Sequence, residues 1–591
     1  MHVYKFRNCL LNTAERSVIR DRQSLELTPK TFDVLQYLIE NVGKVVTKDE
    51  ILGNVWNGSF VEESNLPVHI SKLRRSLGET KDKRFIETIQ GSGYRFVAPV
   101  QSVSNDAWQS SLRGLDRPKA NGRSNKLTFD SIAVLPLGND SGNPDFDYVV
   151  DGLTESITNS LSLIPELKVI ARNTAFRYKN KDVDAKEVGE SLGIATVLTG
   201  RLRMTKDDLV VGVELVDVAE GSQLWGKQFR GQINEIVRIK QELTSFVSAK
   251  LCPGGTERPA SIADRGTDNA ESYKLFLMGK YFFEKRTVNE IKRAMTCYEG
   301  ALVHDPANLH AYAELAECYR LLHVTDAISY EYTVTQVRPL LEKLSLLERP
   351  TYATHLVNAK LKFLEWTYGD ARMYCEQALA LNPNCMDAQF LLANILIALG
   401  RFPEAIEQFN KILSLDPFSL LTYKRVGRGF YRLERYENAM EHLSVAIEME
   451  PADWESLALL GAIYVEWGDF ERALQHFRKS LNAQYSDEIF SMLGYVAAVR
   501  GRSDEARELM GELMSSAEGN EKHSLKLARI HLALKEKEKA YELIEIAVRN
   551  HEIDLVSMTA DPRWKTIRSE TRFQDLVRKV GLTLPLKLHA S

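Results

Sequence analysis

The sequence is poor in cysteine and has no long apolar run. Its 591 residues include six cysteines, with no Cys-x-x-Cys pair and no regular disulfide spacing. No segment approaches the roughly 20 consecutive apolar residues that cross a bilayer, and the amino terminus lacks the charged-then-apolar pattern of a secretory signal. These absences exclude a disulfide scaffold and a membrane span, and they predict a soluble protein in the reducing cytoplasm.

Catalytic signatures are also missing. The chain has no His-Glu-x-x-His pair, no nucleophile elbow and no paired metal-ligand spacing, so we expect no enzyme activity, no cofactor and no metal. GSQLWGKQ at Gly221 to Gln228 has the glycine spacing and lysine of a phosphate loop. However, Gln228 replaces the Ser or Thr that holds magnesium, and strand-like segments surround it. We therefore expect a β-turn with Trp225 packed inward.

An acidic cluster in the same region has a similar interpretation. Asp140, Asp145, Asp147 and Asp151 have a spacing that fits no calcium loop. Asp151, followed by Gly152, is instead predicted to cap the helix that comes after it.

Charge is distributed unevenly along the chain. Residues 1–100 carry a net +3 and residues 101–128 another +3, whereas the whole chain is −4, so residues 129–591 carry −10. This basic head, residues 1–128, followed by an acidic remainder is typical of a protein that contacts nucleic acid at one end only.

Within that basic head, SNLPVHISKLRRSLG at Ser64 to Gly78 is predicted to be a basic amphipathic helix capped by Ser64. Its buried stripe is expected to be Leu66, Ile70, Leu73 and Leu77. The opposite face, with Asn65, Val68, Ser71, Lys72 and Arg75, is expected to be free. FIETIQGSGYRFV at Phe85 to Val97 follows as a β-hairpin turned by glycine.

The segments before that helix complete a small module. Thr28 and Pro29 start one helix, which Gly43 ends, and Thr47 with Glu50 has the capping-box spacing that starts another. Short alternating runs at Val3 to Phe6, Ser17 to Arg20 and Ser24 to Leu27 are typical of strands.

Residues 1–100 resemble an OmpR/PhoB-type winged-helix DNA-binding domain, through LTPKTFDVLQYLIENVGKVVTKDEIL, VHISKLRRSLG and GSGYRF. The resemblance implies that the helix at Ser64 to Leu77 enters the major groove and that the hairpin contacts the minor groove or the backbone. The wing of the family often has a basic residue just before its first glycine. This chain has Gln90 there, which leaves Arg95 as the wing's phosphate contact.

The predicted DNA contacts follow from side-chain chemistry. Asn65, Val68 and Ser71 are expected to read bases, and Lys72, Arg74 and Arg75 to bind phosphates. His69 is expected on the DNA side or at the edge of the core, with no metal role. The alternative is that the three cations form only a solvated face.

Residues 101–127 are rich in Ser, Asn, Gly and charge and are predicted to be a flexible linker. Residues 128–252 then alternate strand-like and helix-like segments, which indicates an α/β domain. They resemble the TolB-like N-terminal domain through IAVLPLGNDSGNPDFDYVVDGLTESIT, VIARNTAF, GIATVLTGRLR and LVDVAEGSQLWGKQF. That resemblance implies no particular ligand.

The second half of the chain repeats. Ala371, Ala405, Ala439 and Ala473 lie 34 residues apart, and Pro383, Pro417 and Pro451 end the helix in three of these copies. This is the tetratricopeptide (TPR) period, and it predicts a solenoid of stacked helix pairs. Gly427, Gly461 and Gly494 occupy a small position in first helices, and residues 320–360 are out of register. We expect a long or irregular repeat there and a polar capping helix at the end.

One patch on the repeats is a candidate for a protein partner. Asn394, Lys424 and Arg428 fall on first helices of adjacent repeats, where they are expected to clamp a carboxylate.

The sequence therefore predicts a multidomain α+β chain. Its parts are a winged-helix DNA-binding domain (1–100), a linker (101–127), an α/β domain (128–252), an all-α TPR solenoid (268–560) and a capping helix with tail (561–591). The predicted function is a one-component transcription regulator that binds double-stranded promoter DNA, with a homodimer on DNA as a further expectation. The alternatives are a protein-interaction scaffold with a degenerate winged helix and an enzyme that uses the central domain.

Overall fold

The computed structural model describes residues 3–103, 129–251, 267–346, 351–515 and 523–583, with short gaps at 14–15, 22, 26, 28, 56–64, 81–82, 90–91, 165–166, 182, 206–207, 326 and 485. The described chain has an N-terminal winged-helix region, a central region built on a sheet, and a long helical array. The predictions for Ser64 and Gln90, and most of the proposed linker, lie outside the described residues.

The winged helix combines two small sheets with three helices. Its elements are β1 (Val3–Phe6), β2 (Cys9–Asn12), β3 (Ser17–Arg20), β4 (Gln23–Leu25), α1 (Pro29–Glu40), β5 (Val45–Thr47), α2 (Lys48–Val55), α3 (Asn65–Leu77), β6 (Ile86–Ile89), β7 (Gly93–Phe96) and β8 (Val100–Val103). One sheet has the order β4-β3-β2-β1-β8 and the other β5-β7-β6. The strands β2, β5 and β8 were not predicted.

Local sequence signals explain these elements. The predicted capping box is present, since the backbone N–H of Thr47 donates to Glu50 Oε2 at 2.8 Å and the N–H of Glu50 donates to Thr47 Oγ1 at 3.2 Å. Gly93 has φ +152, and a Cβ there would lie 2.0 Å from the carbonyl oxygen of Val46. Only glycine therefore lets the wing strand β7 approach β5 so closely.

The central region is a mixed sheet with helices against it. Its elements are β9 (Ser131–Val134), β10 (Gly138–Asn139), α4 (Asp147–Ser162), β11 (Lys168–Val169), α5 (Arg172–Phe176), α6 (Ala185–Leu192), β12 (Thr196–Thr205), β13 (Asp208–Asp217), β14 (Gln223–Gln232) and α7 (Ile236–Leu251). The order is β11-β9-β12-β13-β14, in which β9 runs parallel to β11 and β12, and β12, β13 and β14 are antiparallel.

The structure corrects one prediction in this region and confirms another. Asp151 caps no helix, because α4 already begins at Asp147, and its carboxylate pairs with Lys179 Nζ at 2.7 Å. The apparent phosphate loop follows a turn and, from Gln223 on, belongs to strand β14 itself, where Trp225 is half-buried and stacks on Phe246 at 5.2 Å between ring centroids. It has no helix start to face a phosphate.

The helical array runs from α8 to α23 in antiparallel pairs. Its helices are α8 (Ala270–Phe283), α9 (Val288–His304), α10 (Leu309–Val324), α11 (Tyr330–Leu346), α12 (Tyr352–Leu364), α13 (Tyr368–Leu381), α14 (Met386–Ala398), α15 (Phe402–Leu415), α16 (Leu420–Arg432), α17 (Tyr436–Met449), α18 (Trp454–Glu466), α19 (Phe470–Ala483), α20 (Asp487–Val499), α21 (Ser503–Ser515), α22 (Ser524–Ala533) and α23 (Lys537–Arg549).

The predicted repeat period is present. The first helices at Tyr352, Met386, Leu420 and Trp454 begin 34 residues apart, and the alanines at 371, 405, 439 and 473 are all fully buried. The predicted irregularity is also present, because α11 has 17 residues and contains Pro339.

The end of the chain closes the array. A short helix, α24 (Thr571–Lys579), follows 3₁₀ turns in which Trp564 is fully buried. Arg568 Nη1 donates to Glu434 Oε1 at 2.7 Å, and the N–H of Thr583 donates to the carbonyl oxygen of Ala398 at 3.1 Å. The segment is therefore more than the expected polar cap, because it packs against the turns that join the first and second helices of several repeats.

The loops between successive pairs form the opposite edge of the array, and the other two regions sit on that edge. Asn384 Nδ2 donates to the carbonyl oxygen of Leu167 at 3.1 Å, and Asp416 Oδ1 accepts a hydrogen bond from Thr174 Oγ1 at 2.6 Å. The helices α4 and α8 also touch, since Tyr273 Oη donates to Ser156 Oγ at 2.8 Å.

Two glycines of the array should respond in opposite ways to the same change. A Cβ at Gly461 would lie 2.5 Å from Phe477 Cε1, so Gly461→Ala should lower the free energy of unfolding by about 1–3 kcal/mol. Gly511 has nothing within 4 Å, so Gly511→Ala should raise it by about 0.5–1 kcal/mol through better helix propensity. Urea unfolding of the two variants measures both shifts, and a stabilising Gly461→Ala would contradict the close packing.

Candidate nucleic-acid interface

The inner face of α3 is built as the sequence predicts. Leu66, Ile70, Leu73 and Leu77 are all buried and form the core of the winged helix with α1 and the wing. His69 also lies on this helix, and its Nδ1 is 2.8 Å from Thr31 Oγ1 of α1. These contacts fix α3 against the rest of its domain.

The outer face of α3 is not free, and this corrects the prediction for two of its residues. Val68 is fully buried and Ser71 is 4% exposed, because the array and the central region cover them. Val68 belongs to an apolar cluster that includes Val188 of α6 and Phe418 of the array. We call this contact surface the α3 interface: loop 416–419, α17 and α6, all packed around α3.

Loop 416–419 makes the most intimate contacts with α3. Phe418 is fully buried, its ring centroid lies 5.8 Å from that of His69, and Lys72 Nζ lies 4.3 Å from its centroid. The carbonyl oxygen of Phe418 accepts a hydrogen bond from Arg177 Nη1 at 2.7 Å. The loop therefore joins all three regions of the chain at one point.

The wing is tied to the array by a second contact. Tyr94 Oη of β7 donates a hydrogen bond to Glu448 Oε2 of α17 at 2.5 Å. The Tyr94 side chain is fully buried, and burial together with the charge of Glu448 raises its pKa far above its ordinary value. The phenol therefore stays protonated and keeps donating.

The predicted phosphate-binding cations have different surroundings. Arg75 is exposed, whereas Arg74 Nη2 donates to Thr88 Oγ1 at 2.7 Å and to the carbonyl oxygen of Ile86 at 3.2 Å. Arg95 on the wing pairs with Glu87 at 3.6 Å. Arg74 thus links α3 to the hairpin, and Arg75 is the cation of α3 that solvent reaches most freely.

Burial at the α3 interface disfavours charge. It lowers the pKa of Lys72 to about 8, and the positive charges of Lys168 and Arg75 act in the same direction. It also lowers the pKa of His69 to about 3, helped by Lys72 and Lys30, and that of His442 on α17 to about 3, helped by Arg75. Both imidazoles are neutral at physiological pH, and a cation is held in a poorly solvated place.

Two residues of the predicted partner patch, Lys424 and Arg428, come together and are already neutralised, whereas Asn394 contacts a different arginine. Lys424 pairs with Asp453 at 2.8 Å and with Glu455 at 2.6 Å, and Arg428 also pairs with Glu455. Asn394 Oδ1 accepts a hydrogen bond from Arg432 Nη1 at 3.3 Å.

Two other kinds of site are absent from the described parts of the chain. No three His, Cys, Asp or Glu side chains come together there as a metal site requires. No described helix is long and apolar enough to cross a membrane.

Sequence reasoning missed Phe418, although a signal exists. In the loops that follow the repeat prolines, Phe418 comes after Pro417, where the neighbouring repeats have Asn384 and Ala452. A large apolar residue in a connecting loop is unusual unless another surface covers it.

The two buried histidines should make the folded state sensitive to acid. Above pH 6.5 both are neutral whether folded or unfolded. Below it only the unfolded chain takes up the protons, so the free energy of unfolding should fall by about 1 kcal/mol per histidine between pH 7.5 and 5.5. Thermal unfolding of His442→Gln should show a smaller loss of stability between these two pH values than the parent shows. The variant His304→Gln, at an exposed position, should lose as much stability as the parent. An equal loss in all three would contradict the buried neutral state.

Comparison with known families agrees with this construction. Residues 22–96 match the family described as transcriptional regulatory protein, C terminal, and residues 367–424, 427–489 and 490–512 match tetratricopeptide repeat families. These matches cover the winged helix and part of the array.

Similar proteins include regulators. The chain is 24% identical over 417 residues to the transcriptional regulator HilA of Salmonella typhi, which covers 70% of each chain. It is 32% identical over 203 residues to putative adenylate cyclase 3 of Rhizobium meliloti, which covers 34% of this chain and 33% of that one. The solved DNA-binding domain of E. coli CadC is 28% identical, with a TM-score of 0.17, and covers 17% of this chain and 98% of that one.

The family matches and the relatives agree with the winged helix and the helical array in the structure. The chain is therefore a DNA-binding transcription regulator that joins an OmpR/PhoB-type winged helix to an array of tetratricopeptide repeats.

Proposed function

We propose that this chain is a one-component, sequence-specific regulator that binds promoter DNA through α3 and the wing, and that the repeat array controls this binding by covering α3. The observation that supports the proposal is the burial of Val68 and Ser71 beneath loop 416–419 and its neighbours. These two positions belong to the face that the winged-helix resemblance directs into the major groove.

The docked arrangement and DNA binding exclude each other. A major groove about 12 Å wide admits a helix only when the reading face is free of other protein. With Phe418 against His69 and Lys72, and Glu448 against the wing, that space is already filled. DNA therefore binds only the fraction of molecules in which the α3 interface is open, and the apparent affinity falls by that fraction.

Each predicted DNA-contacting residue has a role in this proposal. Val68 and Ser71 read base edges once exposed, Asn65 is proposed to read bases with them, and Lys72 and Arg75 bind phosphates. Arg74 binds phosphate while it holds the wing, Arg95 of the wing contacts the DNA backbone, and Gln90 is proposed to contact DNA beside it. His69 positions α3 through Thr31.

Lys72 favours the open state. In the docked state its pKa is lowered to about 8, so a charged ammonium is held there at a cost. Beside a DNA phosphate the same charge is stabilised. The transfer of Lys72 from Phe418 to DNA therefore contributes to opening.

The remaining parts of the proposal concern partners and location. The array binds a protein partner, and a partner carboxylate at Asn394, Lys424 and Arg428 would have to displace Asp453 and Glu455. We propose that the chain acts in the cytoplasm as a non-enzyme, contacts DNA as a homodimer, and is divided into domains at 1–100, 128–252 and 268–560. The central domain is TolB-like in this proposal.

The alternative is a scaffold whose winged helix no longer binds DNA. The same docked α3 would then be a permanent structural contact. The two functions differ in what happens when the α3 interface is weakened.

Loosening the α3 interface should increase DNA binding. Phe418→Ala removes the aromatic contact with His69 and Lys72, so the full-length variant should bind a duplex from its own upstream region about tenfold or more tightly. Fluorescence anisotropy against a scrambled duplex measures the gain. Tyr332→Ala, which truncates a half-exposed aromatic elsewhere on the array, should leave affinity unchanged. No specific binding by any of the three chains would favour the scaffold.

The cations of α3 should set the salt dependence of binding. In the Phe418→Ala background, Lys72→Ala and Arg75→Ala should each lower the slope of log affinity against log salt by about 0.9, because each removes one phosphate contact. Lys479→Ala, on an exposed position of the array, should not change the slope. An unchanged slope in the α3 variants would remove Lys72 and Arg75 from the DNA contacts.

A further inference from the structure

A cavity lies between the central region and the array, next to loop 416–419, of which Asp416 and Ser419 line it. Its volume is about 330 Å³. One wall is formed by α4, α5 and α7 of the central region, and the other by the first helices of successive repeats, which are α8, α10, α12, α14 and α16. This volume lies at the low end of the roughly 300–1,000 Å³ typical of small-molecule sites, which often lie between domains.

Most charged groups in the walls are already paired with one another. Glu155 contacts Lys280 Nζ at 2.9 Å and Arg172 Nε at 3.3 Å. Lys360 contacts Glu317 at 3.3 Å and Asp387 at 3.2 Å. These pairs leave little net charge for a ligand to meet along most of the wall.

Arg425 differs from these pairs. It extends from α16 into the cavity, and its guanidinium carbon lies 4.8 Å from the centroid of the Phe390 ring. No hydrogen bond or ion pair to Arg425 occurs in the part of the chain that the structure describes. Arg425 is an exposed residue, so a ligand in the cavity can reach its guanidinium.

The surroundings of Arg425 also include apolar side chains. Phe390 lies beneath the guanidinium, and Leu356, Val357 and Leu421 line the same cavity. A guanidinium prefers a planar or tetrahedral oxyanion that it can bind through two N–H donors. If the ligand that carries this oxyanion also has an apolar part, that part would cover the hydrophobic wall of the cavity.

We propose that this cavity binds a small organic anion, with a carboxylate or phosphate head on Arg425 and an apolar body against Phe390. Helices of the central region close one side of this groove, which favours a small molecule over an extended peptide. This site does not depend on DNA binding by the winged helix, so the two proposals succeed or fail separately.

The test is calorimetric titration of the full-length chain with benzoate, phenyl phosphate and the neutral benzyl alcohol. Benzoate, phenyl phosphate or both should bind with measurable heat, and benzyl alcohol should bind at least about tenfold more weakly. The preference between the two anions then distinguishes a carboxylate head from a phosphate head. Absence of binding by both anions overturns the proposal.

Two arginines of the array, one inside the cavity and one outside it, provide the matched comparison. Arg425→Gln should weaken anion binding about tenfold or more, while Arg502→Gln, whose guanidinium pairs with Glu505 outside the cavity, should bind within about twofold of the parent. Arg425→Lys keeps the positive charge but loses the paired N–H donors of the guanidinium, so its anion affinity should lie between those of the two other variants. Circular dichroism confirms that each variant is folded. Equal anion affinity in folded Arg425→Gln and in the parent places the anion elsewhere and overturns the proposal.

Discussion

The burial of loop 416–419 is the constraint on which the arrangement of this molecule depends. A connecting loop carries backbone and side-chain polar groups that water normally satisfies, so a loop that leaves the surface must find partners in the protein. Here the carbonyl oxygen of Phe418 accepts a hydrogen bond from Arg177, and the Asp416 carboxylate accepts hydrogen bonds from Thr174 and Thr422. One short segment is therefore held by the central region and in turn holds α3.

Much of the fold could be predicted from local pattern. The stripe of Leu66, Ile70, Leu73 and Leu77 is buried as its spacing indicates, the Thr47–Glu50 capping box forms, and the 34-residue alanine period marks the helix pairs. These features succeed because each depends on neighbours a few residues away or on an exact repeat. Strand β5 was missed because its three residues, VVT, are all β-branched and show no alternation of apolar and polar types.

The candidate site was less predictable, because its surroundings come from distant sequence. The residue types on α3 indicate chemistry that suits DNA, yet their burial depends on Phe418 and Glu448, some 350 residues further along the chain. Asp151 failed as a cap because α4 starts at Asp147 and therefore contains Asp151 in its second turn. Periodicity shows which face of a helix is polar, but it does not show what another domain places against that face.

The loops between repeats share one edge of the array, and this gives the docking position a register. Asn384, Phe418 and Ala452 occupy equivalent places on successive steps, but only the middle step carries an aromatic ring. Phe418 therefore distinguishes one loop of the array from the equivalent loops of the neighbouring repeats, and the winged helix docks at that loop. The contacts of Asn384 and Asp416 with the central region and of Glu448 with the wing lie on neighbouring steps, so Phe418 together with these side chains sets where the winged helix docks.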